Sequence, residues 1–138
     1  MKFQLNKNTM ETLTNFYNAM FSKEEIEKEC HNEFLQMAKN NFKTDSIDSL
    51  ILGLDYLIQK DLRNRLENLN VPILMIHGDE DSICPLEAAI YMKNRINTSH
   101  IEVLKNTGHI PFFASANQCY DIIFKFITKN IKKEDIYD

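Results

Sequence analysis

The sequence predicts an α/β chain in two parts: a helical segment over residues 1–60, then a strand–helix–strand–helix unit with parallel strands over residues 61–138. Three observations carry this. Apolar residues recur at helical spacing through the first part. At Val71 the pattern switches to a short continuous apolar run, and a second short run, Ile101 to Leu104, follows after a helix-length interval. Parallel strands joined in this way need a crossover helix, for which a right-handed connection is the default.

In the first part, Asn8 followed by Glu11 forms a capping pair ahead of Leu13, Phe16, Tyr17, Met20 and Phe21. Ser22 with Glu25 repeats the capping-box pattern and leads into a helix carrying Ile26, Cys30, Phe34 and Met37 on one face. A third helix starts at Thr44 or Asp45 and aligns Ile47, Leu50, Ile51, Leu54 and Ile58. Each apolar stripe needs a surface to cover.

In the second part, Val71-Pro72-Ile73-Leu74-Met75-Ile76 stops at Gly78 and reads as a strand buried on both faces, with Pro72 at its start. A helix runs from about Pro85 to Arg95, with Glu87 near its start and Lys93 and Arg95 near its end to complement the dipole. Ile101 to Leu104 is the second strand, ending before Thr107-Gly108. Ser115 with Gln118 then opens a last helix whose buried face is Cys119, Ile122, Ile123, Phe126 and Ile127. The polar tail from Lys129 to Asp138 is expected to fray.

Composition narrows the function classes. Hydrophobic residues make up 43% and charged residues 26%, an ordinary globular balance. Sixteen basic against twenty acidic side chains give a net charge of −4, which argues against a nucleic-acid or anionic-membrane surface. The N-terminal residues do not resemble a signal peptide, and no segment approaches the roughly 18–20 apolar residues that span a bilayer. The three cysteines, Cys30, Cys84 and Cys119, have no metal-like spacing, so a reduced, cytoplasmic chain is expected.

Reactive groups in a parallel sheet gather on loops beyond the C-terminal strand ends. Two such loops exist here, His77 to Pro85 and Asn106 to Phe112. Neighbouring strands would open both on one edge, letting a carboxylate of the first loop, Asp79 or Asp81, meet the imidazole of His109. There the acid fixes the imidazole tautomer and the imidazole takes a nucleophile's proton. Asp79 is the competing acid. His77, Asp79 and Asp81 alternate along one loop and do not converge on a metal, so no metal and no cofactor are expected. His31 reads as a surface or half-buried histidine. Ser82 adjoins the acid and Ser115 caps a helix, so neither is a nucleophile. Nothing marks Cys84 as an activated thiolate.

The run V-P-I-L-M-I-H-G-D-E-D-S-I-C-P, residues 71–85, resembles the acid-bearing strand and loop of α/β-hydrolases, with Asp81 at the catalytic aspartate. Gly108-His109-Ile110-Pro111-Phe112 resembles their histidine loop, with His109 as general base; acid before histidine is also the family's chain order. Leu50 to Leu57 and Asp61 to Leu66 are similar to the cap-to-core junction of pimeloyl-[acyl carrier protein] methyl ester esterases and related small carboxylesterases.

The resemblance covers most of residues 9–127. It implies the C-terminal portion of an α/β-hydrolase fold, with residues 1–60 as a helical cap and 61–138 as core. It also implies a pocket wall at Phe112 and cap contacts to substrate from Phe16, Tyr17 or Met20. The family carries Gly-x-Ser-x-Gly before the cap. Here the only glycines are Gly53, Gly78 and Gly108, and none flanks a serine at that spacing.

The reading that follows is a carboxylic ester hydrolase present as its C-terminal fragment, lacking the serine and oxyanion hole and inactive alone. Its substrate would be a small-molecule or acyl carrier protein-linked ester. The alternatives are a non-catalytic chain that self-associates or complements a separate N-terminal half, and a small ligand-binding domain.

Overall fold

A computed structural model of the chain describes residues 2–41 and 47–130. Five helices come first: α1 (Lys2–Lys7), α2 (Thr9–Ala19), α3 (Lys23–Glu27), α4 (Cys30–Asn41) and α5 (Ile47–Gln59). A 3₁₀ turn, Arg63–Asn68, leads to β1 (Ile73–Gly78), α6 (Leu86–Arg95), β2 (Ser99–Leu104), α7 (Pro111–Ala114) and α8 (Ala116–Asn130). The two strands pair in parallel, Ile73 opposite Ser99 through Gly78 opposite Leu104. The architecture is the one the sequence predicts, a helical segment followed by two parallel strands with their helices.

The first two capping patterns form, whereas no capping hydrogen bond from Ser115 to the start of α8 is found among the described residues. The Asn8 side chain accepts the Glu11 N–H at 3.3 Å and starts α2. Ser22 and Glu25 close a full capping box: Ser22 Oγ accepts the Glu25 N–H at 3.2 Å, and Glu25 Oε2 accepts the Ser22 N–H at 2.7 Å. The helix they start is shorter than the periodicity predicts. Glu29 takes φ 59°, a left-handed turn that separates α3 from α4. Ile26 and Met37 consequently stand exposed rather than sharing a buried face with Phe34.

Several other expectations need correction. α1 has no counterpart in the sequence reading, yet Leu5 on it is fully buried, and α1 packs against α2 and α5. The expected start of α5 at Thr44 or Asp45 lies outside the described residues. β1 is half-buried along Ile73 to His77, not buried throughout: among the described residues β2 is the only strand paired with it, which leaves its other edge open. On α8, Cys119 is buried and Ile122 and Phe126 are half-buried, but Ile123 and Ile127 are exposed. The helix continues through Lys129 to Asn130, and the rest of the expected frayed tail lies outside the described residues.

α6 packs on β1 and β2, and α8 on β1. Arg95 fastens α6 to the 3₁₀ turn through Glu67 at 3.2 Å. The helical segment is joined to the core by aromatic rings. Phe113 on α7 meets Phe34 edge-on at 5.4 Å and Phe21 at 6.3 Å, and Tyr17 adds to Phe34 at 5.5 Å. Such pairs contribute roughly 0.5–1.5 kcal/mol each beyond area burial. No helix among the described residues is long and apolar enough to cross a membrane.

Candidate active site

Parallel pairing delivers both strand-end loops to one edge, and the pairing continues past the strands. The Asp79 N–H donates to Leu104 O and the Glu80 N–H to Thr107 O, both at 3.0 Å. Gly78 makes this approach possible. A Cβ there would stand 2.1 Å from Thr107 O and 2.3 Å from Gly108 O, so only glycine fits. Asn106 turns the chain after β2 with φ 54°, a conformation asparagine tolerates.

These constraints bring Asp81 and His109 together, with Asp81 Oδ2 2.8 Å from His109 Nδ1. The other carboxylate oxygen, Oδ1, accepts the Ile83 N–H at 2.8 Å and the Cys84 N–H at 2.9 Å. The Asp81 side chain is 4% exposed and that of His109 29%. Burial raises the Asp81 pKa, but the Cys84 N–H, the His109 hydrogen bond and the Ile83 N–H outweigh it and hold the carboxyl below its ordinary value. Asp81 is therefore an ionised, fully satisfied anchor, suited to fixing the Nδ1–H tautomer of His109.

A pH dependence follows. A depressed native pKa contributes stability above the unfolded value of about 3.9, and that contribution disappears as pH falls through the native value. Asp81→Asn is expected to lower stability by about 1.5–3 kcal/mol at pH 7. The gap to the parent chain should close below about pH 3.9. Urea midpoints at pH 7 and in acid check this, and a gap that persists unchanged in acid would contradict it.

The other singled-out residues fall around this pair. His77 Nε2 lies 3.0 Å from Cys84 O and 3.6 Å from Asp81 Oδ2, so it borders the carboxylate. Asp79 is exposed, and its side chain does not reach His109 in any described contact. Ser82 Oγ donates to Ala19 O at 2.7 Å, away from the imidazole. Phe112 is 67% exposed and lies outside the groove beside the pair, while Phe113 turns inward. His31 sits edge-on to Phe21, within the helical segment.

Asp81, Cys84 and His109 place one potential metal ligand each within 4.8 Å of one another, a different set from the His77–Asp79–Asp81 run considered in the sequence. An ion there would have to displace the proton that joins Asp81 to His109. Burial, together with the Asp81 charge, pushes the Cys84 thiol pKa up, away from the thiolate that a soft metal or an acyl group needs.

A groove of about 490 Å³ runs along β1, lined by Leu74, Ile76, Gly78 and Met92 among others, and ends at Asp81 and His109. Cys84, which the sequence places on the acid loop beside the site, lines this groove. Sequence reasoning missed one contributor. Glu25, legible only as a helix cap, also accepts the Gly108 N–H at 3.1 Å.

The chain is similar in sequence and in fold to known proteins. The pimeloyl-[acyl-carrier protein] methyl ester esterase of Nitrosospira multiformis is 34% identical over 79 residues, covering 57% of this chain and 30% of that protein. The enzyme of the same name from Aeromonas salmonicida is 33% identical over 79 residues, covering 57% and 31%. The chain thus spans about a third of the length of the curated relatives it matches.

Among solved structures, an esterase from Exiguobacterium antarcticum superposes with a TM-score of 0.74 at 25% identity, over 92% of this chain and 46% of that one. A thermophilic esterase superposes with a TM-score of 0.67 at 26% identity, over 91% and 48%. The α/β-hydrolase family described as TAP-like protein matches residues 55–135, more than half of the chain. The chain therefore belongs to this family of α/β-hydrolases.

Proposed function

We propose that the chain supplies the acid and base of a serine-type carboxylic ester hydrolase, whose nucleophile and oxyanion donors lie on polypeptide outside these 138 residues. The observation that carries this is the 2.8 Å contact between a buried, doubly anchored Asp81 and a partly exposed His109. In the completed site, His109 takes the serine proton as the hydroxyl attacks the ester carbonyl, and Asp81 stabilises the imidazolium. His109 then returns that proton to the departing alcohol, and water releases the acyl group by the same route in reverse. Small carboxylic esters, free or carried on acyl carrier protein, are the substrate class; the names of the relatives support this choice.

Association with a partner is favoured by the surface. Among the described residues β2 is the only strand paired with β1, and an open strand edge beside exposed apolar side chains invites pairing. On α5, Leu57 and Ile58 are 74% and 73% exposed, and Phe124 on α8 is exposed as well.

The experiment is to mix the chain with the N-terminal half of a related esterase, ending before its cap, and follow p-nitrophenyl acetate hydrolysis. Turnover is expected only in the mixture and only with His109 intact. Enzyme-like turnover by this chain alone, or a mixture equally active with His109→Ala, would refute the proposal.

A further inference from the structure

We propose that Glu25 is a positioning residue for the acid–histidine pair, acting from the helical segment on the backbone of the histidine loop. The inference rests on reading Asp81 and His109 as acid and base. Glu25 is buried at the third position of α3, where a capping box asks its carboxylate only to accept the Ser22 N–H. The same oxygen, Oε2, also accepts the N–H of Gly108, 83 residues away and adjacent to His109. Its other oxygen is buried without a hydrogen-bond partner among the described residues, so the side chain is held through Oε2.

The neighbouring atoms repeat the attachment. The His109 N–H donates to Met20 O at 2.7 Å, and Ser22 Oγ donates to Asn106 O at 2.7 Å. Gly108 rests so closely on this turn that a Cβ would meet Met20 O at 2.4 Å and Ser22 N at 2.7 Å. The acid loop is fastened to the same stretch: Ser82 Oγ donates to Ala19 O, and the Lys23 N–H donates to Glu80 Oε2 at 3.3 Å. Both loops are therefore fastened to residues 19–25 as well as to each other, and this shared reference adds to the strand pairing in setting the separation of Asp81 from His109. A carboxylate suits the post because two N–H donors converge on one oxygen, and bonds to a charged acceptor are the stronger kind.

The test uses the whole 138-residue chain and reads the His109 Nδ1–H by ¹⁵N-resolved proton NMR. None of its readouts needs ester hydrolysis, so failure of the esterase reading and failure of this one are distinguishable. The parent chain is expected to show a slowly exchanging downfield proton bonded to Asp81. Glu25→Gln keeps the reach and an acceptor oxygen and should retain that signal. Glu25→Asp keeps the charge but is one methylene short, and should lose the signal to solvent exchange.

Leu13→Ala, which opens the buried core of α2, serves as the control. It should lower the melting temperature and leave the signal in place at temperatures where the chain is folded. The proposal is overturned if the parent chain lacks the signal, if Glu25→Asp keeps it, if Glu25→Gln loses it, or if folded Leu13→Ala loses it. Should Glu25→Asp not fold, amide exchange in the parent chain decides. Gly108 and His109 are expected to be protected like the β1–β2 ladder, and exchange at the rate of exposed loop amides would overturn the proposal.

Discussion

Asp81→Asn in the completed enzyme is expected to lower kcat by about 10⁴-fold with little change in KM. The asparagine oxygen can still accept the Ile83 and Cys84 N–H groups that hold Oδ1, so the loop should keep its shape. Its amide nitrogen, however, presents a donor where Oδ2 accepts from His109 Nδ1. The imidazole then turns to the wrong tautomer, and the other ring nitrogen can no longer take the serine proton. Steady-state kinetics on p-nitrophenyl acetate, with circular dichroism to verify folding, measure the effect. A loss of less than tenfold would show that Asp81 does not orient the base.

Gly78→Ala is expected to be the most damaging single-atom addition in the core, at about 3 kcal/mol. The added carbon would stand 2.1 Å from Thr107 O and 2.6 Å from Thr107 C. Backbone atoms cannot swing aside as a side-chain tip can, so β1 would have to move away from the histidine loop. That movement also separates Asp81 from His109, because the Asp81 N–H is bonded to Gly78 O at 3.3 Å. Gly53→Ala provides the opposite sign: nothing lies within 4 Å of a Cβ on this α5 residue, and alanine should stabilise the helix by roughly 0.5–1 kcal/mol. Urea denaturation of both variants decides the matter, and a Gly78→Ala midpoint equal to that of the parent chain would contradict the packing described.

That a carboxylate of the first loop would meet His109 was legible in the sequence because it follows from topology, and the family resemblance singled out Asp81 over Asp79. Two parallel strands put their C-terminal loops on one edge, whatever the side chains between them. The Ser22–Glu25 box was legible for a local reason, since its partners lie three residues apart. What sequence could not show was the second donor on Glu25, because Gly108 is remote in the chain and is recruited by tertiary packing. Glu29 concealed the break between α3 and α4, since a left-handed glutamate carries no glycine to announce it. α1 is too short for periodicity to register.

The apolar run of β1, and Ile123 and Ile127 on α8, record what those surfaces are built to pack against. They do not record which neighbours these 138 residues provide. At Phe112 and Phe113 two adjacent aromatics competed for one inward position, and the turn of α7 gave it to Phe113.

The central claim is that Asp81 and His109 serve a nucleophile located elsewhere. Labelling the reconstituted enzyme with a fluorophosphonate, followed by intact-mass analysis of each polypeptide, tests it most directly. The expected result is one adduct per complex, on the serine of the partner half, with labelling abolished by His109→Ala. An adduct on this chain, at Ser82, Cys84 or Ser115, or labelling of the partner half that survives His109→Ala, would contradict it.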